Sequence, residues 1–303
     1  MNEAFVLRLA ASVGLSTVNA VVRRFGRANA LVVERYDRMR TDAGAQRLHQ
    51  EDFCQALNVP AERKYEGEGG PGLARSVALV REHSSDPLAD VHAVIRWQVF
   101  NAAVGNADGH AKNLALLLTR TGTRLAPIYD LVSTRAYPRV DRHLAMFIGG
   151  NADPDQLTAQ DWSRFAADLG VGERYLKDTA NQIVSAIGGA LAPTLRAFEK
   201  AFGRKDLSAL GGRTRHRENG PKGCGVAEDL SWCWCWCWRS ANRGARIGSR
   251  ESGRANRVVR IGSLNQVTRA GAGHGISSSR WALRTRFSRS AGMSASGMGR
   301  EKK

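Results

Sequence analysis

The 303-residue sequence predicts an α+β fold, mostly helical with short β-hairpins, followed by a basic tail. Three observations lead there. Within residues 1–203 apolar side chains recur at three- and four-residue intervals, the rhythm of amphipathic helices. Two short apolar runs, Leu114 to Leu118 and Leu125 to Tyr129, flank a turn containing Gly122, the pattern of a hairpin. Beyond Gly203, Gly, Ser, Ala and Arg dominate without any apolar period, so burial there cannot offset chain entropy.

Charge divides the chain at the same place. The net charge is +17, yet residues 1–203 carry 24 Lys/Arg against 22 Asp/Glu, and residues 204–303 carry 21 against 6. The nearly neutral front does not point to a nucleic-acid-binding fold. Cys54 is the only cysteine among residues 1–203, which excludes a disulfide framework there and implies a reducing compartment. No run approaches the ~18 apolar residues of a membrane span, and Met1-Asn2-Glu3-Ala4 lacks a signal-peptide pattern. The expectation is a soluble, cytoplasmic protein with no membrane partner.

In order along the chain, Asn2 is placed to cap a helix reaching about Val13, with Phe5, Val6, Leu9, Ala10 and Val13 on its apolar face. Ala30 to Val33 reads as a short strand. Thr41 to Gly72 is polar and glycine-containing; its Gly67-Glu68-Gly69-Gly70-Pro71-Gly72 stretch lacks a Gly-Lys-Ser/Thr ending and reads as a structural loop. Asp86-Pro87 marks a loop, after which Asp90 caps a long buried helix along Val91, Val94, Ile95, Gln98, Val99, Ala102 and Ala103. Thr158 and Asp161 form a capping box for a helix whose core face is Trp162, Phe165, Ala166 and Leu169. Glu173 to Leu191 is a further amphipathic helix, and Pro193 starts a separate short one with Leu195 and Phe198.

The chemistry concentrates in Asn106-Ala107-Asp108-Gly109-His110-Ala111-Lys112-Asn113 and in Leu125-Ala126-Pro127-Ile128-Tyr129-Asp130. Pairing of the hairpin arms would bring Asn113 close to Asp130. An aspartate, an asparagine five residues on and a second aspartate after a hairpin suit phosphoryl transfer: one carboxylate orients a hydroxyl proton, and the amide oxygen and other carboxylate hold magnesium. The spacing alone is equally met by Asp108 capping a helix and Asn113 closing a turn.

The wording around that spacing resembles the HipA family, bacterial serine/threonine kinases that act as toxins of toxin–antitoxin pairs. Val33-Glu34-Arg35-Tyr36-Asp37-Arg38, Gln50-Glu51-Asp52-Phe53-Cys54-Gln55, Lys64-Tyr65-Glu66 and Gly69-Gly70-Pro71-Gly72 follow the family's order, over roughly residues 1–203. The resemblance implies the C-lobe of a kinase-like fold in residues 1–203. It makes Asp108 the base, Asn113 and Asp130 the magnesium ligands, and Glu34, Arg35 and Tyr36 the hinge beside the adenine of ATP. His110, Ala111, Lys112 and Tyr129 would line the nucleotide, the Lys112 ammonium offsetting charge on the transferring phosphate.

Glu3 would answer to the family's lysine-pairing glutamate, or simply favour the positive end of its helix. A HipB-like antitoxin is the implied partner and an aminoacyl-tRNA synthetase a family-type substrate. The family's N-terminal lobe, with its phosphate loop and strand lysine, has no counterpart before the Asn-Glu helix. The alternative expectation is therefore a truncated, catalytically inactive fragment that binds an antitoxin-like partner.

In residues 204–303 the arginines offer nucleic acid a contact. Trp232 to Trp238 alternates Trp and Cys, which on a strand puts the thiols on one face, too far apart for one tetrahedral zinc. The segment also reads like the product of a shifted reading frame.

Overall fold

The computed structural model describes residues 1–202, Arg27, Ala43 and Pro138 apart, and the backbone of a short strand at 259–261. The expectations for residues 204–303, including the Trp/Cys alternation, otherwise fall outside the described residues.

Helices are the largest share, nearly half, of the described chain: α1 (Asn2–Ser12), the single turn α2 (Phe53–Ala56), α3 (Leu73–His83), α4 (Pro87–Val104), α5 (Ala159–Asp168) and α6 (Glu173–Phe202). The strands are β1 (Ala20–Phe25), β2 (Ala28–Val33), β3 (Arg38–Thr41), β4 (Gly44–Arg47), β5 (His49–Asp52), β6 (Ala115–Thr119), β7 (Gly122–Leu125) and β8 (Val259–Ile261). They form three small sheets: β1-β2-β8, with β1 and β2 antiparallel and β8 parallel to β2; the β3-β4 hairpin; and the antiparallel β5-β6-β7.

One apolar core runs through the helices. Trp97, Ile95, Val94 and Phe100 of α4 are fully buried at its centre, with Phe53, Leu114 and Leu131 around them. α3 packs on α4, and α4, α5 and α1 pack on α6. The α1–α6 contact includes an edge-to-face pair, Phe5 on Phe198, at 5.4 Å between ring centroids.

Several expected boundaries move. Asn2 is the first residue of α1 rather than its cap: its side-chain amide exchanges two hydrogen bonds with the Ser133 backbone, at 2.8 and 2.9 Å. Asp86, not Asp90, caps α4 by accepting from Ala89 N, with Pro87 in the first turn where a missing N–H is harmless. Asp90 lies inside α4 and holds the hairpin instead. Its carboxylate accepts from Arg124 at 3.0 and 2.9 Å, from Leu125 N at 2.9 Å and from Ser84 Oγ at 2.5 Å.

The polar stretch from Thr41 contains β4, β5 and α2, whose register is fixed by cross-strand partners rather than by its own apolar period. The Thr158–Asp161 capping box forms as expected. α6 does not restart at Pro193 but runs through it. Ile187, Leu191, Thr194 and Phe198 continue one buried stripe, and packing that stripe outweighs the hydrogen bond the proline removes.

Between α4 and the next strand, Gly105 takes φ +63°, a left-handed cap that turns the chain into the Asn106–Asn113 segment. Among the described residues no helix is long and apolar enough to cross a membrane.

Burial raises the Asp90 carboxyl, but the bonds from Arg124, Ser84 and Leu125 N prevail and hold it below the aspartate value of 3.8. Its contribution to stability is therefore full above pH 3.8 and is lost as pH falls through the lower folded value. We expect Asp90→Asn to destabilise the protein by about 1–3 kcal/mol at neutral pH. Thermal unfolding of the two proteins should converge at acid pH.

Candidate active site

The segment 106–113 is folded by its own side chains and by the chain just beyond Asp130. Asn106 N bonds to Asn101 O at 2.8 Å, and its side chain donates to Asn101 Oδ1 at 3.0 Å. Asn106 Oδ1 accepts from Asp108 N at 3.1 Å, an Asx-type turn that throws Asp108 forward. Thr134 Oγ1 donates to Gly105 O at 2.9 Å and accepts from Ala107 N at 3.0 Å, while Ser133 Oγ donates to Val104 O at 2.8 Å. The residues after Asp130 thus satisfy the orphan carbonyls at the end of α4.

The β6–β7 register does the rest. Leu116 faces Leu125 and Thr119 faces Gly122, so the arms close around Arg120-Thr121. At the open end Asn113 Nδ2 donates to Asp130 Oδ2 at 3.1 Å, although 17 residues separate them. Asn113 Oδ1 accepts from His110 N at 2.9 Å. Asp130 has φ +59°, a left-handed backbone that a non-glycine residue adopts at a cost of about 1–3 kcal/mol. Such a cost persists only where the surroundings fix the conformation.

Asp108 is half-exposed, and His110 lies beneath it with Nε2 at 3.6 Å from Asp108 Oδ1. Burial pushes the His110 imidazole below its usual value; the nearby Asp108 charge opposes that and does not prevail. His110 is consequently neutral near pH 7. Ala111 is fully buried and Asn113 nearly so.

The remaining predicted residues divide. Tyr36 stacks on Tyr129 at 5.9 Å, and Tyr129 OH donates to Lys112 O at 2.7 Å. Tyr36 OH donates to Gln50 Oε1, and burial followed by the Asp37 charge pushes its phenol up to about 12. Glu34 and Arg35 side chains are engaged elsewhere: Glu34 accepts from Asn19 Nδ2 at 3.0 Å, and Arg35 pairs with Asp37 at 2.5 Å.

The Lys112 ammonium is bonded to Asp52 at 2.9 Å, which also raises its pKa. Two residues that were not assigned to the site reach it. Tyr65 OH donates to Asp108 Oδ1 at 2.6 Å, and Lys64 Nζ stands 3.8 Å from the same oxygen. The Lys64-Tyr65-Glu66 string was the signal for them, but sequence distance hid its proximity to Asp108. Glu3 sits in the first turn of α1, where its charge acts on the Met1 amine.

A family model for the HipA-like C-terminal domain matches residues 1–191. The chain belongs to this family. A putative kinase, Y4mE, of Sinorhizobium fredii is 43% identical to this HipA-like chain over 195 residues, covering 64% of this chain and 46% of the relative. The serine/threonine-protein kinase toxin HipA of Shewanella oneidensis is 35% identical over 210 residues, covering 64% and 48%. The chain spans about half the length of these relatives.

Among solved structures, a complex of Shewanella oneidensis HipA with HipB and operator DNA matches with a TM-score of 0.63 and 27% identity. That match covers 80% of this chain and 55% of the other. The expected HipA-like architecture of helices and short antiparallel sheets is thereby established.

Asp130→Gly relieves the left-handed strain while losing the Asn113 bond, so we expect a stability change within about 1 kcal/mol. Asp130→Ala loses the bond and keeps the strain. Thermal denaturation should place it about 1 kcal/mol or more below the glycine variant.

Proposed function

We propose that this chain carries the catalytic portion of a HipA-like serine/threonine kinase, which transfers the γ-phosphoryl group of ATP to a protein hydroxyl with magnesium. The observation that carries the reading is the Asn113–Asp130 bond at 3.1 Å beside the half-exposed Asp108 on the same loop. In this reading Asp108 orients the acceptor hydroxyl and takes its proton.

The donor set fits magnesium. Asp130 supplies a carboxylate, and Asn113 Oδ1, engaged once by His110 N, keeps a second lone pair. One carboxylate and one amide oxygen suit an ion that completes its octahedron with water and phosphate oxygens. When bound, magnesium offsets charge on the nucleotide phosphates.

The Tyr36–Tyr129 stack gives an aromatic wall for the adenine, and backbone groups of Glu34 to Tyr36 its polar edge. Glu34 N is already bonded to Asn19 O at 2.8 Å, so recognition falls to the other backbone groups there. Neutral His110 supports the loop under Asp108 instead of adding charge. Lys112, tied to Asp52, couples the β5 strand to the loop and is not the cation facing the phosphate.

A HipB-like antitoxin is the proposed partner, supported by the HipA–HipB–DNA assembly of the structural relative. An aminoacyl-tRNA synthetase is the proposed class of substrate, by family resemblance alone, and the cytoplasm the proposed location.

The test is transfer of radiolabelled γ-phosphate to casein by the full chain, alone and with the remaining portion of Shewanella HipA supplied separately. We expect Asp108→Asn to lower the rate by about 10²–10⁴-fold. Equal transfer by the wild type and the variant would sink the proposal. No transfer by either, together with binding to a HipB-like protein, would support a binding module instead.

A further inference from the structure

Among the described residues three side chains approach the Asp108 carboxylate, and they converge on one oxygen. Tyr65 OH donates to Oδ1 at 2.6 Å, Lys64 Nζ lies 3.8 Å from it, and His110 Nε2 lies 3.6 Å from it. Among the described residues Oδ2 makes no hydrogen bond. The clamp is itself braced. The Tyr65 ring stands edge-on to His110 at 5.3 Å, and the Lys64 ammonium lies 4.9 Å above the Tyr65 ring.

The glycine-rich stretch after Tyr65 explains how this pair is aimed. Tyr65 O accepts from Glu68 N at 3.1 Å and from Gly70 N at 2.8 Å. A Cβ on Gly70 would lie 2.7 Å from Tyr65 O and closer still to Arg63 O, so only glycine lets the chain fold back this tightly. Glu66 anchors the far side: its amide donates to Ala145 O at 3.0 Å, and its carboxylate accepts from Phe147 N at 2.6 Å. The loop is a mount for Lys64 and Tyr65, with no phosphate-binding role required.

We propose that Tyr65 is a positioning residue that, with Lys64, fixes Oδ1 of Asp108 and presents Oδ2 as the atom that receives the substrate proton. The proposal rests on the kinase reading of Asp108. As the hydroxyl oxygen bonds to the γ-phosphorus, its proton passes to Oδ2 and the bond from that phosphorus to the bridging oxygen breaks, releasing ADP. Burial, and then donation to Asp108, push the Tyr65 phenol well above its usual value, so it remains a donor throughout the neutral range. Lys64 occupies the place expected of Lys112, a cation beside the reacting groups.

Two measurements on the full chain test this. In casein phosphorylation, under whichever conditions of the preceding assay give transfer, Tyr65→Phe should lower kcat about tenfold, the scale of one lost hydrogen bond, with KM for ATP unchanged. Added to Asp108→Asn, it should lower kcat no further. Wild-type kcat in Tyr65→Phe, or an equal loss in both backgrounds, would overturn the clamp.

The second measurement needs no turnover. Melting temperatures of the wild type, both single variants and the double variant should be non-additive, and additive shifts would count against the pair. Absence of transfer in every protein would remove the kinase reading, while the melting cycle would still decide whether Tyr65 holds Asp108.

Discussion

The site depends on the register of one hairpin. Asn113 and Asp130 lie beyond the open ends of β6 and β7, so sliding one strand against the other by a residue would shift them by about 3.3 Å and break their bond. The register is held from three directions: β5 pairs with β6, Asp90 grips Arg124 and Leu125, and Ser133-Thr134 close onto the end of α4. None of these contacts touches the atoms proposed to react. Together they make a bond across 17 residues behave like a local one.

What could be read in the sequence follows from this. The apolar faces of the helices in residues 159–202 and the first arm of the hairpin were legible because apolar period acts locally. The return arm, expected from Leu125 to Tyr129, is Gly122–Leu125, because cross-strand pairing with β6 extends into what reads as turn. Asp90 misled because a carboxylate near a helix start has two uses, and the deciding partner, Arg124, lies 34 residues away. Pro193 misled because a proline's local cost is visible in sequence, whereas the packing that outweighs it appears only once α6 lies against α1, α4 and α5.

Within the site, Asp108, Asn113 and Asp130 were legible as a pattern, and their convergence was an expectation of the hairpin. Lys112 illustrates the limit. Its proximity in sequence to Asp108 suggested a cation for the phosphate, yet its ammonium turns to Asp52. Lys112 sits on the 3₁₀ turn Ala111–Asn113, beyond the Asx turn that carries Asp108, and reaches toward β5, whereas Lys64 arrives from a distant loop. Glu34, Arg35 and Tyr36 divide because they leave the end of β2 for the turn before β3, where each side chain takes its own partner.

The continuation of α6 through Pro193 has a consequence for motion. A proline has no amide hydrogen, so the hydrogen-bond ladder lacks one rung there, and the final turns cannot rely on cooperative winding from Glu173. Their order comes from Phe198 seated on Phe5. Amide exchange beyond the proline should therefore report whether α1 is docked, making the end of the longest helix a gauge of contacts made near the start of the chain.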